Sequence, residues 1–325
     1  MRGKGWICLR YYSIIAVCIK RVVHITTNGG YLMFYSPLRY PGGKGKLAPL
    51  IGLMVKKMNV KGGTYIEPFA GGAGVALMLL MEGYVENIVI NDYDKAIYSV
   101  WRAIVNEPDN FVDRIMETSV NLDEWKKQKE IYLKQNKRYS LDLAFATFFL
   151  NRTNRSGILK GGPIGGLGQT GDYRINARYN AGKLAERVWA IAKYRKNIKV
   201  YNKEIVRFMI SVLPDYRKDS LIYFDPPYFK KGPELYKNFF DKEDHAKIAH
   251  MILNNVQGNW IVTYDDTPEI MELYRERCIR RYDLNYSAAN TGKSSEIIVF
   301  HDECYCPTNQ ELLEQKININ LRGVE

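Results

Sequence analysis

The sequence lacks the residue spacings that hold structural metals or build a disulfide framework. It has five cysteines and four histidines, and no CxxC pair. His245 and His250 are five residues apart, which places them on different faces of a helix. We therefore predict no metal site and no disulfide framework, and the cysteine usage fits a reducing, cytoplasmic setting.

No apolar run near the amino terminus is long enough to cross a bilayer. The run at residues 11–19 has nine residues, whereas a spanning helix needs about 20. No small-residue cleavage site follows it, so a signal peptide is poorly supported. Residues 29–32 fit a translated ribosome-binding sequence, and we hypothesise that Met33 is the natural start. Residues 1–33 are therefore assigned to a leader that is not native or not ordered, and no membrane partner is expected.

Acidic residues are scarce in the middle of the chain. Residues 151–200 include eleven Lys and Arg, opposed only by Asp172 and Glu186, so most of the net charge of +12 lies there. A concentrated basic stretch favours a polyanionic partner such as nucleic acid. A solvated basic face would have the same composition.

A glycine-rich turn lacks the GxGxxG spacing of a dinucleotide site but, as in such sites, lies between a predicted strand and a predicted helix. Residues 64–69 (TYIEPF) predict a strand, residues 70–74 (AGGAG) a tight turn, and residues 75–81 the start of a helix. The next predicted strand, residues 86–91, is followed by Asp92, whose carboxylate can accept hydrogen bonds from both hydroxyls of a ribose. The pattern predicts an adenosine-containing cofactor without a required pyrophosphate.

Residues 221–228 (LIYFDPPY) predict a buried strand that ends at Asp225. Pro226 and Pro227 prevent a helical continuation and hold the backbone extended, and Tyr228 follows directly. A carboxylate, two carbonyl groups and an aromatic ring therefore lie together at the mouth of a sheet. Taken alone, these residues also fit an ordinary Asp-Pro turn.

The element order indicates an α/β fold with a doubly wound, mostly parallel sheet and an antiparallel last strand. Residues 34–105 and 181–303 are assigned to this catalytic domain. Residues 106–180 are assigned to an inserted, mainly helical domain that ends in a Gly-rich and Arg-rich stretch suited to phosphate and base-edge contacts. Residues 304–325 are assigned to a tail without a clear partner.

The motifs, in their order along the chain, resemble the Dam-like class of S-adenosylmethionine-dependent DNA adenine-N6 methyltransferases. The matching stretches are RYPGGKGKL (39–47), IEPFAGGAGVAL (66–77), IVINDYD (88–94), FFLNRTNRSGI (148–158), YFDPPY (223–228) and SSEIIVF (294–300). The family has this order: cofactor motif, recognition insertion, catalytic motif. The resemblance implies a class I methyltransferase-like fold. It also implies methyl transfer from S-adenosylmethionine to the exocyclic amino nitrogen of a flipped adenine in DNA.

The resemblance also implies a role for each matching residue. Catalysis and binding of the target base are expected from Asp225, Pro226, Pro227 and Tyr228. Cofactor binding is expected from Tyr40, Lys44, Glu67, Phe69, Gly71, Asp92 and Asp225. The family more often has Trp at the position of Tyr40. DNA contacts are expected from Arg39, Asn151, Arg152, Asn154, Arg155 and Ser156.

The chemistry explains why these residue types are needed. The amino nitrogen of adenine is a poor nucleophile because its lone pair is delocalised into the ring. Asp225 can accept one N–H bond and the carbonyl of Pro226 the other, which directs the lone pair at the methyl group. Such positioning contributes up to about 7–11 kcal/mol. Tyr228 would stack on the base once it has left the helix.

Two alternatives stay open at this point: an RNA adenine methyltransferase and a non-catalytic DNA-binding relative. Cytosine amino-methyltransferases usually resemble SPPY and protein glutamine methyltransferases NPPY, so both fit less well. We expect double-stranded DNA as the partner and a monomeric protein, with a cognate restriction endonuclease as a further candidate partner. The recognised DNA word does not follow from the spacing of these motifs.

Overall fold

The structure is a computed structural model and describes residues 35–40, 44–135, 138–230, 240–284 and 294–324. The leader assigned to residues 1–33 lies outside the described residues. Within them, eight strands form one sheet in the order β3-β2-β1-β4-β5-β7-β6-β8. The strands are β1 (Thr64–Glu67), β2 (Asn87–Asn91), β3 (Ile198–Tyr201), β4 (Ser220–Phe224), β5 (Asn259–Asp265), β6 (Cys278–Leu284), β7 (Ser294–Phe300) and β8 (Arg322–Gly323).

The sheet is mostly parallel, as predicted. Strands β1 to β5 are parallel, and β7 is antiparallel to both β5 and β6. The strand order reverses between β1 and β4, which are neighbours with Ile66 opposite Ile222. Ligands of open α/β sheets bind at the carboxyl ends of strands beside such a reversal. The segments that follow β1 and β4 are therefore the place to examine for a site.

Helices cover both faces of the sheet, because its central strands are apolar on both faces. The helices are α1 (Ala48–Lys57), α2 (Gly74–Met81), α3 (Lys95–Asn106), α4 (Pro108–Glu117), α5 (Leu122–Lys134), α6 (Leu141–Thr153), α7 (Ala181–Ala192), α8 (Ile205–Ser211), α9 (Lys242–Asn255), α10 (Pro268–Leu273) and α11 (Asn309–Glu314). Along β4, Leu221 and Tyr223 join the core cluster of α1, α2, α3 and α7, whereas Ile222 and Phe224 join that of α8, α9 and α10. Among the described residues, no helix is long and apolar enough to span a bilayer.

Residues 106–180 contain the predicted helices, α4, α5 and α6. Phe111, Phe148, Phe149 and Tyr179 are buried in the same cluster as Trp101 of α3. The insertion therefore shares the hydrophobic core of the catalytic domain, and the domain boundaries themselves stay a prediction. After α6 the chain continues in short turns, which agrees with the irregular stretch expected there.

The carboxyl-terminal segment packs against the sheet, so the prediction of a tail without a partner is wrong. Strand β8 pairs with β6, with Arg322 opposite Arg281. Leu312 of α11 and Leu321 are buried in the core. The error has a physical reason: α11 has six residues and β8 two, and elements so short have too few turns or alternations to show a period.

Candidate active site

The glycine-rich turn after β1 is fixed by three contacts around Gly71. This residue has a φ of 46°, in the left-handed region that favours glycine. Its N–H donates to Asp92 Oδ2 at 2.9 Å, and its carbonyl accepts from Trp101 Nε1 at 2.9 Å. A Cβ on Gly71 would lie 2.6 Å from Cε1 of Tyr40, so the ring of Tyr40 packs directly on the turn. The structure thus brings Tyr40, Gly71 and Asp92 together.

Asp92 directly follows β2 and is held by backbone donors. Its Oδ1 accepts from the N–H of Asp94 at 2.9 Å, in addition to the bond from Gly71 to Oδ2. Burial is the main cause that raises the pKa of Asp92 to about 7; the charge of Asp94 raises it further, and the two backbone donors oppose the shift. Since each carboxylate oxygen has two lone pairs, Asp92 keeps acceptor capacity for a ligand.

Glu67, the last residue of β1, is buried next to the first turn of α2. Its Oε1 accepts from Tyr65 Oη at 3.0 Å and from the N–H of Ala76 at 3.1 Å. Burial raises the pKa of Glu67 to about 8 against the opposing effect of both donors. Phe69, also a predicted cofactor residue, is half-buried, with its ring edge-on to Phe240 at a centroid distance of 6.0 Å.

Asp225 follows β4 and is held through one of its two oxygens. Thr263 Oγ1 donates to Oδ1 at 2.8 Å, and Lys44 Nζ lies 3.3 Å from the same oxygen. The side chain of Asp225 is 22% exposed. Burial is the main cause that raises its pKa, Lys44 opposes the shift, and the charge of Glu296 adds to it. With these contacts on Oδ1, Oδ2 is the oxygen suited to accept a bond from a ligand.

Lys44 is buried between two carboxylates. Its Nζ lies 3.1 Å from Glu296 Oε2 and 3.3 Å from Asp225 Oδ1, and it donates to Tyr228 Oη at 2.7 Å. Glu296 in turn accepts from Tyr228 Oη at 2.6 Å and from Tyr282 Oη at 2.6 Å. Lys44 was predicted to line a cofactor pocket; the structure places it at the centre of a polar network that joins Asp225 to Tyr228.

Tyr228 is 8% exposed, and its position is fixed from two directions. Lys44 Nζ donates to Tyr228 Oη at 2.7 Å and lies 4.7 Å from the ring centroid, so the ammonium sits at the hydroxyl end of the ring. Directly after it, the N–H groups of Phe229 and Lys230 donate to the carboxylate of Asp265, both at 2.9 Å. Asp265 therefore holds the backbone that leaves the DPPY motif.

The predicted DNA-contacting amides, Asn151 and Asn154, are buried and bonded within the protein. Asn151 accepts from the N–H of Arg39 at 2.7 Å and donates to its carbonyl at 2.8 Å. Asn154 accepts from Trp125 Nε1 at 2.7 Å and donates to the carbonyl of Ile158 at 2.8 Å. Both side chains therefore position the backbone around them, which differs from the direct contact that the sequence suggested.

The other predicted DNA residues lie nearer the surface. Arg155 and Ser156 are exposed on a short 3-10 helix, Arg155–Gly157, and Arg39 and Arg152 are half-buried. A Cβ on Gly157 would lie 2.3 Å from the carbonyl oxygen of Arg39, so the segment of Arg39 packs tightly against this turn. The structure brings these residues together on one side of the Tyr40 segment.

Three polar residues of the site were not identified from the sequence: Thr263, Asp265 and Glu296. Asp265 ends β5, and an acidic residue at the end of a predicted strand is the same pattern that identified Asp92 and Asp225. Glu296 lies inside the SSEIIVF stretch, where a charged residue in an apolar strand is unusual. Thr263 gives no signal, because threonine is common within strands.

The described residues contain no group of three or more His, Cys, Asp or Glu side chains that could hold a metal ion. Their cysteines are free, with Cys278 and Cys306 half-buried and Cys304 exposed.

Comparison with known families gives a match over most of the chain. A profile of the family described as D12 class N6 adenine-specific DNA methyltransferase matches residues 40–288. The matched segment begins at Tyr40 and includes the glycine-rich turn, Asp92, the insertion and DPPY.

Individual relatives agree with this match. The chain is 26% identical over 211 residues to the type II methyltransferase M.MjaIII of Methanocaldococcus jannaschii, covering 59% of this chain and 68% of that protein. It is 25% identical over 225 residues to the type II methyltransferase M.CviBI of Paramecium bursaria Chlorella virus NC1A, covering 69% and 81%. Among solved structures, the rRNA methyltransferase aviRa from Streptomyces viridochromogenes covers 79% of this chain and 86% of its own, at 13% identity and a TM-score of 0.36. A TM-score this low carries no argument about function.

Proposed function

We propose that this chain, which belongs to the D12 class N6 adenine-specific DNA methyltransferases, methylates an adenine that has left the DNA helix and takes the methyl group from S-adenosylmethionine. The observation that carries the proposal is the setting of Asp225. Its Oδ1 is held by Thr263 and Lys44, and its carboxylate lies at the same sheet edge as the glycine-rich turn and Asp92.

The residues around the glycine-rich turn fit an adenosine-containing group. Gly71 leaves no room for a Cβ on the side of Tyr40, whereas a Cβ at Gly74 would meet, among the described residues outside its own helix and chain neighbours, no atom within 4 Å. Within the described part of the chain, the turn is therefore packed closely at Gly71 and not at Gly74. Asp92 has acceptor capacity for ribose hydroxyls, and Tyr40 offers a flat ring. S-adenosylmethionine, when bound, supplies an electrophilic methyl group on a sulfonium.

The DPPY residues are suited to orient an amino group. Oδ2 of Asp225 accepts one N–H of adenine, and the carbonyl of Pro226 accepts the other. A nitrogen held by two acceptors loses conjugation with the ring and gains a directed lone pair. The ammonium of Lys44 compensates the charge of Asp225, and Asp225 Oδ2, which holds one N–H of the amino group, is placed to accept the proton that the methylated nitrogen loses.

Tyr228 is proposed to hold the base by stacking. Its hydroxyl donates to Glu296 and accepts from Lys44, so the ring has a fixed orientation before DNA binds. Lys44 contacts the ring at its hydroxyl end, so this contact does not itself cover the ring face on which a base would stack. Flipping itself costs a few kcal/mol, which contacts to the DNA backbone can offset.

We also propose that the substrate is double-stranded DNA and that the protein is a monomer in the cytoplasm. A cognate restriction endonuclease is the proposed protein partner. The type II relatives motivate the last of these and do not establish it for this chain.

Transfer of a labelled methyl group from S-adenosylmethionine to duplex DNA tests the proposal. We expect Asp225→Ala to lower the rate by about 10²–10⁴-fold, because it removes the acceptor for the amino group, and to retain most of the affinity for DNA. Asp215→Ala is the matched control: Asp215 is exposed and lies before β4 rather than after it. Wild-type turnover by Asp225→Ala would refute the role of this residue.

A further inference from the structure

Four arginines from separate segments lie close together beside the Tyr40 segment. We call Arg39, Arg152, Arg178 and Arg187 the arginine cluster. Arg152 Nε donates to the carbonyl of Arg178 at 2.8 Å, and Arg187 Nη1 donates to the carbonyl of Ser36 at 3.4 Å. These bonds join α6, α7, the irregular stretch after α6 and the segment before Tyr40.

The guanidinium groups of the cluster repel one another. Burial is the main cause that lowers the pKa of Arg152 to about 10, and the charges of Arg39, Arg187 and Arg178 lower it further. The pKa of Arg39 is lowered by burial and by the charge of Arg178. A guanidinium loses its proton only far above neutral pH, so all four are charged at pH 7. Holding them together opposes folding.

In the described part of the chain, no member of the cluster forms a salt bridge with a carboxylate. Arg39, Arg152 and Arg187 donate instead to the backbone carbonyls of Asn154, Arg178 and Ser36, respectively. The guanidinium of Arg178 lies 6.0 Å from the centroid of the Tyr173 ring. Elsewhere the chain pairs such groups, as with Arg281 Nε, which lies 2.9 Å from Asp266 Oδ2. A region that gathers four positive charges without a carboxylate is stabilised most by an anion from outside.

We propose that the arginine cluster binds phosphodiester groups of duplex DNA beside the sheet edge that carries the glycine-rich turn, Asp92 and Asp225, an inference that rests on the proposed function. Guanidinium groups bind phosphate oxygens through paired, planar donors. Arg39 directly precedes Tyr40, whose ring packs on Gly71, so the cluster adjoins the glycine-rich turn. The DNA surface then extends beyond residues 151–157 to Arg178 and to Arg187 of α7.

The salt dependence of binding to a mixed-sequence DNA duplex tests this inference. Each lost phosphate contact lowers the slope of log affinity against log salt concentration by about 0.9. We expect Arg178→Gln and Arg187→Gln each to reduce the slope by about this amount. Arg187→Lys keeps the charge and should recover most of it. Arg195→Gln, an exposed arginine outside the cluster, is the control and should keep the wild-type slope.

Failure of the cluster and failure of the proposed function give different results. If both Gln variants keep the wild-type dependence of DNA affinity on salt and still methylate DNA, the proposed phosphate binding by the arginine cluster is refuted and the proposed function is not. A wild-type protein that neither binds nor methylates DNA overturns the proposed function. Arg178 is exposed and its charge acts against Arg39 and Arg152, so Arg178→Gln should not lower the unfolding midpoint, and it keeps the test valid if Arg187→Gln fails to fold.

Discussion

The charge beside the DPPY motif is set by the ammonium of Lys44, which lies between the carboxylates of Asp225 and Glu296. Lys44 contacts both Asp225 and Glu296, and the latter is buried with two tyrosine hydroxyls as donors. In the proposed mechanism, Glu296 acts through Lys44 and Tyr228 rather than by touching the base. It is a positioning residue, and its charge also raises the pKa of Asp225.

Replacing Glu296 with Gln should change the pH profile of methyl transfer. The substitution removes a charge that raises the pKa of Asp225 and that competes with Asp225 for the ammonium of Lys44, so the pKa of Asp225 falls. Since the ionised carboxylate is the form that accepts the amino N–H, the acid limb of kcat/KM should move to lower pH. The rate at the optimum should fall about tenfold or more through loss of charge-assisted hydrogen bonds.

Tyr282→Phe is the matched control for Glu296→Gln. It removes one hydroxyl donor to Glu296 and leaves every charge in place. We expect a much smaller shift of the acid limb. An acid limb that stays at the wild-type pH in Glu296→Gln would rule out the electrostatic role given to Glu296.

Cofactor affinity should depend on pH through Asp92. Its pKa is raised to about 7, and the ionised form is the better acceptor for ribose hydroxyls. Affinity for S-adenosylmethionine should therefore fall as pH decreases through 7, by about tenfold per pH unit below the pKa. Calorimetric titration between about pH 6 and 8.5 measures this.

Two variants separate Asp92 from other titrating groups. Asp92→Asn should bind weakly at every pH. Asp94→Asn keeps the cap of α3, because Asn caps helices as well as Asp, but removes a charge that raises the pKa of Asp92. The midpoint should then move to lower pH; an unchanged midpoint would assign the titration to another group, such as Glu67.

Local patterns predicted some site residues and missed others for a physical reason. Asp92 and Asp225 both follow apolar strands, so their position at the sheet edge follows from a few neighbouring residues. Glu296 contacts Lys44 and Tyr228, which lie far from it in the sequence. A single chain gives no local signal for a contact of that kind.

Among the elements, the turn between β1 and α2 depends most on one residue, Gly71. An alanine there would be strained at a φ of 46°, and its Cβ would meet the Tyr40 ring at 2.6 Å. We expect Gly71→Ala to lower the free energy of unfolding by about 1–3 kcal/mol and to weaken cofactor binding. Denaturant titration and calorimetry measure both effects.

Gly182→Ala serves as the control for Gly71→Ala. Gly182 is exposed in α7, and the nearest atom to its Cβ would be 3.8 Å away, at ordinary contact distance. Alanine there should be neutral or stabilising by up to about 1 kcal/mol. If the two substitutions had equal effects, the special geometry of the turn would be disproved.

The central strands could be predicted because they are continuous apolar runs, as in β4, which is buried throughout. The tail could not, since α11 and β8 are held by contacts with distant strands and helices. The roles of Asn151 and Asn154 could not be predicted from residue type either. Asparagine suits base contacts, but here the two side-chain amides form hydrogen bonds within the protein that hold the Arg39 segment and the turn after α6.

At the scale of the whole molecule, one sheet edge gathers the cofactor turn, Asp92 and the DPPY motif, and the arginine cluster lies beside it. The reversal of strand order between β1 and β4 explains why segments far apart in sequence meet there. The insertion shares one hydrophobic core with the catalytic domain. Its basic residues are therefore held in a fixed position relative to the sheet edge that carries Asp92 and Asp225. The proposed methyl-transfer site and the proposed surface for a polyanion are therefore neighbours in the fold.

The most direct test of adenine methylation in DNA is the identity of the methylated nucleoside. Purified protein and S-adenosylmethionine are incubated with duplex DNA and, separately, with RNA; each product is digested and analysed by mass spectrometry. The structure and the family predict N6-methyladenine in DNA, none in RNA, and at least about 10²-fold slower formation with Asp225→Ala. Methylated cytosine in DNA, or methylated adenine in RNA alone, would contradict this account.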